Sequence, residues 1–157
     1  MIARRAFVGW LLLAPLSHAQ TLGNGSLSGK YYFRHLMISS SASGNFTEVR
    51  SLLGALIFDG IGGYTFSGQQ NIGTAAPAAI SGAGTYAVTS AGLVTMTNPS
   101  RSSLQVSARL GSGAVIGSTT ETSENVFDLL VAVPSPTTTQ TVASLAGSYW
   151  AAGLEIT

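Results

Sequence analysis

Residues 103–110, Ser-Leu-Gln-Val-Ser-Ala-Arg-Leu, alternate apolar and polar side chains without a break. Leu104, Val106, Ala108 and Leu110 fall on one face, and Ser103, Gln105, Ser107 and Arg109 on the other. A period of two puts successive side chains on opposite sides of an extended chain, so this stretch reads as a strand with one face in a core. Gly111-Ser112-Gly113 then turns the chain into a second strand, Ala114–Thr119. Upstream, Leu93–Thr97 is a strand stopped by Asn98-Pro99-Ser100, and Gly84–Thr89 precedes it through Ser90-Ala91-Gly92. Downstream, Val126–Val133 carries Phe127, Leu129, Val131 and Val133 on one face.

The same grammar runs back toward the N-terminus. Phe46–Phe58 and Gly63–Ile72 flank Asp59-Gly60-Ile61-Gly62-Gly63. Asp accepts bonds from the backbone N–H groups ahead of it, and glycine takes positive φ freely, so this is a hairpin turn. Leu56, Phe58, Tyr64 and Phe66 then become neighbours on one face, and Gly54 suggests a bulge. Residues 29–38 form a first strand with Tyr32, Leu36 and Ile38 on one face and Tyr31, Phe33, His35 and Met37 on the other. Both faces are large, so alternation does not choose the inner one. Gln20–Ser26 reads as a flexible lead-in, and Gly73–Gly82 as an Ala/Pro loop. Eight strands on short connections, with no amphipathic helix, predict an all-β, eight-stranded antiparallel meander closed into an up-and-down barrel. A β-sandwich is the alternative, because alternation does not separate the two.

Residues 1–19 have the order of a secretory signal: Arg4 and Arg5, an apolar run from Ala6 to Leu16, then small residues at Ser17 and Ala19. The apolar run is too short to cross a bilayer. Residues 20–133 are then the β domain, 134–144 a Pro/Thr-rich linker, and 145–157 the first strand of a second, truncated repeat. The repeat rests on Leu27 with Leu145, Gly29 with Gly147, Tyr31 with Tyr149, Leu36 with Leu154 and Ile38 with Ile156, while Trp150 replaces Tyr32. Recurrence of this kind marks a modular array. A competing reading pairs residues 145–156 with the first strand of the same sheet.

Loss of Arg4 and Arg5 leaves five basic against six acidic residues, a net charge of about −1. No basic patch remains to neutralise phosphates, which argues against nucleic acid as a partner. Charged residues make up 8% of the chain, so Ser, Thr, Gly, Asn and Gln must supply most of the surface. There is no cysteine, hence no disulfide framework, thiolate metal site or lipid-modified thiol.

The candidate chemistry is thin. His35 is the one histidine after the signal, and a triad would have to join it to Asp59 or Asp128 without a Gly-x-Ser-x-Gly elbow. Glu48, Glu121 and Glu124 show no spacing that would make facing glycosidase carboxylates. Asp59 reads as a turn former, because a calcium loop repeats its acids. The glycines at 60–63 and 111–113 precede no helix and no Lys-Ser/Thr, so they do not make a phosphate loop. Asn24 and Asn45 match a glycosylation acceptor, and Asn98 is blocked by Pro99. Tyr31, Tyr32, Phe33, Phe46, Phe58, Tyr64, Phe66, Tyr86 and Phe127 sit at strand positions where aromatics are usually core. The residues thus nominate no catalytic, cofactor-binding or metal-binding side chains, and no cofactor.

The segments Leu27-Ser-Gly-Lys-Tyr-Tyr-Phe33 and Phe58-Asp-Gly-Ile-Gly-Gly-Tyr-Thr-Phe66, the Pro/Thr linker and the second Leu145-Ala-Gly-Ser-Tyr-Trp150 together resemble uncharacterised secreted β-rich repeat proteins of acidobacteria. Those proteins string β modules together, often ahead of C-terminal immunoglobulin-like modules. The resemblance implies a secreted or cell-surface bacterial protein of which this chain is a piece, and it brings no catalytic residues. The expected function is a non-enzymatic structural or adhesion module. The alternative is a β-barrel that binds a small apolar ligand or a glycan; neighbouring β modules are the other expected partners. After signal removal no transmembrane segment is expected. A membrane-spanning barrel needs strands of about nine to eleven residues with an apolar outward band, and most strands read here are shorter. N-terminal sequencing of the exported protein should begin at Gln20; a product that retains Arg4 and Arg5 would refute the signal.

Overall fold

A computed structural model describes residues 21–111, 113–119 and 125–148. It contains eight strands: β1 (Ser28–Ser40), β2 (Phe46–Asp59), β3 (Gly63–Ile72), β4 (Ala78–Val88), β5 (Leu93–Thr97), β6 (Gln105–Leu110), β7 (Val115–Ser118) and β8 (Val126–Pro134). Each pairs antiparallel with the next, and β8 pairs back onto β1, so the sheet is a closed up-and-down barrel. Closure sets Tyr32 opposite Val133 and Ser39 opposite Val126. The sandwich alternative is thereby set aside. The expected signal, the Glu121–Glu124 turn and most of the second repeat lie outside the described residues.

The inner face of β1 carries Tyr31, Phe33, His35, Met37 and Ser39, all buried. The face of Tyr32, Leu36 and Ile38 turns outward, with Tyr32 46% exposed, although Ile38 is buried among its neighbours. In β6, Val106 and Ala108 are buried and Leu110 packs against the core, as alternation requires. On β8 the apolar set Phe127, Leu129, Val131 and Val133 points outward, whereas Val126, Leu130 and Ala132 enter the core.

Phe58 holds one half of the interior together. Its ring meets Tyr31 edge-on at 5.3 Å and Tyr86 edge-on at 5.0 Å, with Tyr64 tilted at 5.8 Å. Such edge contacts add about 0.5–1.5 kcal/mol each beyond area burial. The end of the barrel beside these rings is plugged by the N-terminal segment. Tyr86 Oη donates to the Leu27 and Asn24 carbonyls, Asn24 Oδ1 accepts the Val88 N–H, and Asn24 Nδ2 donates to the Ile61 carbonyl. Leu27 is completely buried there. The lead-in is therefore a cap pinned by a single asparagine rather than a loose arm, and a 3-10 turn over Asn24–Ser26 sets its angle.

Two further expectations need correction. Strand β4 begins at Ala78, inside the stretch read as a loop, because its residues 78–85 pair with β3 from Gln70 back to Gly63. Ala, Ser and Gly carry little strand preference of their own, and the pairing overrides it. The rings of Phe66 and Tyr64 lie over Gly82 and Gly84 and fill the space their missing side chains leave. Gly54 marks no bulge; the register shift falls at Ser39/Ser40. Gly54 instead faces Gly68 across the β2–β3 ladder, so close that a Cβ on it would lie 2.2 Å from the Ser67 carbonyl oxygen. Gly117 stands in the same relation to Ala108 across β6–β7. These two ladders lie four strands apart, on opposite sides of the barrel, and make the corners where its wall folds.

Gly54→Ala should lower stability by about 1–3 kcal/mol, because the obstacle is backbone and has no rotamer to escape into. Gly113→Ala, with nothing within 4 Å of its Cβ, should stay within about 0.5 kcal/mol of the parent. Urea midpoints for the two variants test this, and equal midpoints would contradict the corner.

Candidate functional site

The barrel interior changes character along its axis. Beyond the aromatic half, the inner face carries His35, Ser39, Gln70 and Asp128, and the loop after β5 adds Asn98. Register places His35, Leu52 and Gln70 at one level and Met37 beside Asp128 at the next. His35 Nε2 donates to Asp128 Oδ2 at 2.7 Å, and both side chains are 0% exposed. The Thr119 N–H donates to Asp128 Oδ1 at 2.5 Å. Burial alone would push the Asp128 carboxyl up, but these hydrogen bonds outweigh it and hold the group below its ordinary value.

A loop closes this end. Asn98 Oδ1 accepts the Ser100 and Arg101 N–H groups and shapes the turn. Glu48 on β2 sits between Arg50, at 3.0 Å, and Arg101, at 2.9 Å, and Arg50 also donates to Ser100. The Arg50 hydrogen bond leads in holding the Glu48 carboxyl below its usual value. Inside, His35 Nδ1, Ser39 Oγ, Gln70 Oε1 and Asn98 Nδ2 are buried with no hydrogen-bond partner among the described residues. Buried polar atoms are nearly always paired, so four orphans at one end make this the chemically most distinctive region of the interior.

Of the two acids weighed for His35, Asp128 is its partner. Asp59 stands at the other end of the barrel, where its Oδ1 accepts the Ile61, Gly62 and Gly63 N–H groups at 2.8–2.9 Å. Its role as turn former is plain, and those bonds lower its pKa. Among the described residues no triad forms with the nearest inward serine on β1. Ser39 lies four residues along the same strand, about 13 Å away. Glu48 is committed to two arginines, and Glu121 and Glu124 lie outside the described residues. Asn24 has both side-chain polar atoms engaged in the cap and so is not presented as a glycosylation acceptor, whereas Asn45 is exposed. Among the nine aromatics, Tyr32, Phe46 and Phe127 are exposed and the rest are core.

A second feature lies at the capped end. A cavity of about 370 Å³ is lined by Leu22, Tyr31, Leu110, Ala114 and Pro134, with Gly111 and Gly113 at its rim. The glycine turn that fails as a phosphate loop thus borders a small mixed polar and apolar recess. The polar cluster was not legible in the sequence beyond His35 and Asp128. Its one signal was the parity that puts Ser39 and His35 on the same face as Tyr31.

Because the folded-state pKa of Asp128 is depressed, its carboxylate contributes stability that is present above about pH 4 and is lost as pH falls through the lower folded value. Asp128→Asn should cost about 1–3 kcal/mol at neutral pH. It should also lose less further stability than the parent between about pH 4 and pH 2. Parallel urea curves across that range check both, and identical acid slopes would show that Asp128 does not titrate as described. No family model, no curated protein and no solved structure matches the chain.

Proposed function

We propose that this barrel is a non-enzymatic structural or adhesion module of an exported, secreted or cell-surface bacterial protein. The observation that carries the reading is the burial of the His35–Asp128 pair, the one histidine–carboxylate pair among the described residues: both side chains are wholly enclosed. A general base must reach the proton it removes, and this pair instead ties β1 to β8 across the closure of the sheet. The interior is packed with aromatic rings at one end and stapled shut by Glu48 at the other. The signal-like N-terminus, the returning Leu-x-Gly-x-Tyr pattern and the resemblance to secreted repeat proteins fit the same reading. The second reading, a binder of a small apolar ligand or glycan, is favoured by the recess beside Tyr31.

The two readings separate in one experiment. Melting temperature across a panel of oligosaccharides and small apolar molecules should stay flat for a structural module. A saturable rise that is lost in Tyr31→Ala, in a variant that still folds, would replace it with the binder.

A further inference from the structure

The outside of the barrel is two-sided. Register assembles an apolar wall from β8, β1 and β2: Tyr32 lies between Val133 and Ala55, Leu36 beside Leu129, and the exposed Phe127 and Val49 flank Ile38, which is only 7% exposed between them. Leu53 and Ile57 are each 53% exposed on it. On the other side β3 and β4 turn Thr65, Ser67, Gln69 and Ser81 to solvent. An exposed apolar surface of this continuity marks a contact site.

Although the overall charge balance predicts no basic patch, the wall gathers cations, with Asp59 at its turn end the one described acid on that face. Arg34 stands in the middle, between Leu53 and Val131, and Lys30 stands opposite Ile57 with its ammonium over the Tyr32 ring. The row through Arg34 continues by way of Val131 and Ile116 to Arg109. Beside β7 it borders a groove of about 520 Å³ lined by Leu93, Arg109, Ile116 and Leu129. The described carboxylates are all engaged already: Glu48 with two arginines, Asp59 in its turn, Asp128 in the interior. A second copy packed on this wall about a two-fold axis would bring the cations of both copies together, with Asp59, already held by its turn at the wall's end, the one described carboxylate on that face. The occupant that fits is apolar and negatively charged at once.

We propose that the outer wall of β8, β1 and β2, with the groove beside β7, docks on an anionic phospholipid bilayer. The exposed aliphatic and aromatic side chains enter the boundary between headgroups and acyl chains, and Lys30, Arg34 and Arg109 meet lipid phosphates. Five strands have 9 to 14 residues, so length does not set a crossing barrel aside as the sequence reading expected; the one-sided band does, since a barrel that crosses needs the band all the way round. The inference names what the module's wall meets. It stands apart from the interior, so discovery of turnover or of an interior ligand would end the module reading and leave this test intact.

Flotation of the purified chain with vesicles of phosphatidylcholine alone, and of phosphatidylcholine mixed with phosphatidylglycerol, tests it. The protein should float with the mixed vesicles, be released by high salt, and remain unbound with phosphatidylcholine alone. Arg34→Glu and Lys30→Glu should each weaken binding at least roughly fivefold, and Leu53→Ser should weaken it as well. Thermal melts by circular dichroism confirm that each variant is folded. Absence of flotation, or flotation indifferent to salt and to both charge reversals, overturns the proposal. A concentration-dependent dimer dispersed by Leu53→Ser, without vesicle binding, also overturns it and assigns the wall to a second copy.

Discussion

Closing eight strands into so small a ring requires the wall to fold sharply somewhere, and side chains on the inner face resist that. Here the resistance is removed at two places. Gly54 against Gly68, and Gly117 against Ala108, let backbone approach backbone where any larger residue would collide. With those corners in place, β8 reaches β1, and β1 becomes the strand shared by the two ladders that complete the ring. The aromatic packing depends on the same economy of volume, because Phe66 and Tyr64 occupy the room left by Gly82 and Gly84. Large and small residues are therefore partners across the interior, as close packing demands.

The interior that results is graded. Rings cluster around Phe58 near the start of β1, and hydrogen-bonding groups gather toward its end. The two ends are sealed by different physics. An asparagine side chain and a tyrosine hydroxyl tie the N-terminal cap to strand ends, while an acid between two arginines ties the β5–β6 loop to β2. The arginines are partly exposed, so that ion pair is worth little by itself, and its value lies in positioning the buried Asn98 turn.

Much of this was written locally. The alternation at 105–110 and the Asp59 turn each specify their own geometry from neighbouring residues, and both read correctly. β4 did not, because what makes Ala78–Gly84 a strand is its partner β3 and the two rings above its glycines. The first strand was ambiguous for a physical reason: its outer face is apolar too, so neither face could be dismissed as the wet one. His35 and Asp128 were visible as candidates. Their pairing depends on the closing ladder, which joins residues 93 apart, and no local pattern encodes that. The polar end around Gln70 and Asn98 was hidden similarly, since single polar residues in strands normally signal solvent.

The ladders around the ring differ greatly in length. β4 meets β5 over three pairs, Tyr86–Met96 to Val88–Val94, and β7 meets β8 over three, Val115–Ala132 to Gly117–Leu130. These short seams divide the cylinder into a five-stranded sheet, β8-β1-β2-β3-β4, and a three-stranded one, β5-β6-β7. Below the first seam no described strand pairs with the outer edge of Ala79–Ala83, and the gap is crossed by hydrogen bonds to Thr97 from Thr85 and from the Tyr64 hydroxyl. Breathing of the cylinder is thus concentrated along two lines. The rings of the aromatic cluster all belong to β1–β4, yet one core joins the two sheets: Val94, Met96, Val106, Ala108 and Val115 of the smaller pack into it, and Tyr64 Oη donates to the Thr97 carbonyl. In hydrogen-exchange terms, the amides along these two seams should exchange ahead of those in the long β1–β2 and β2–β3 ladders, within a ring that shares one core.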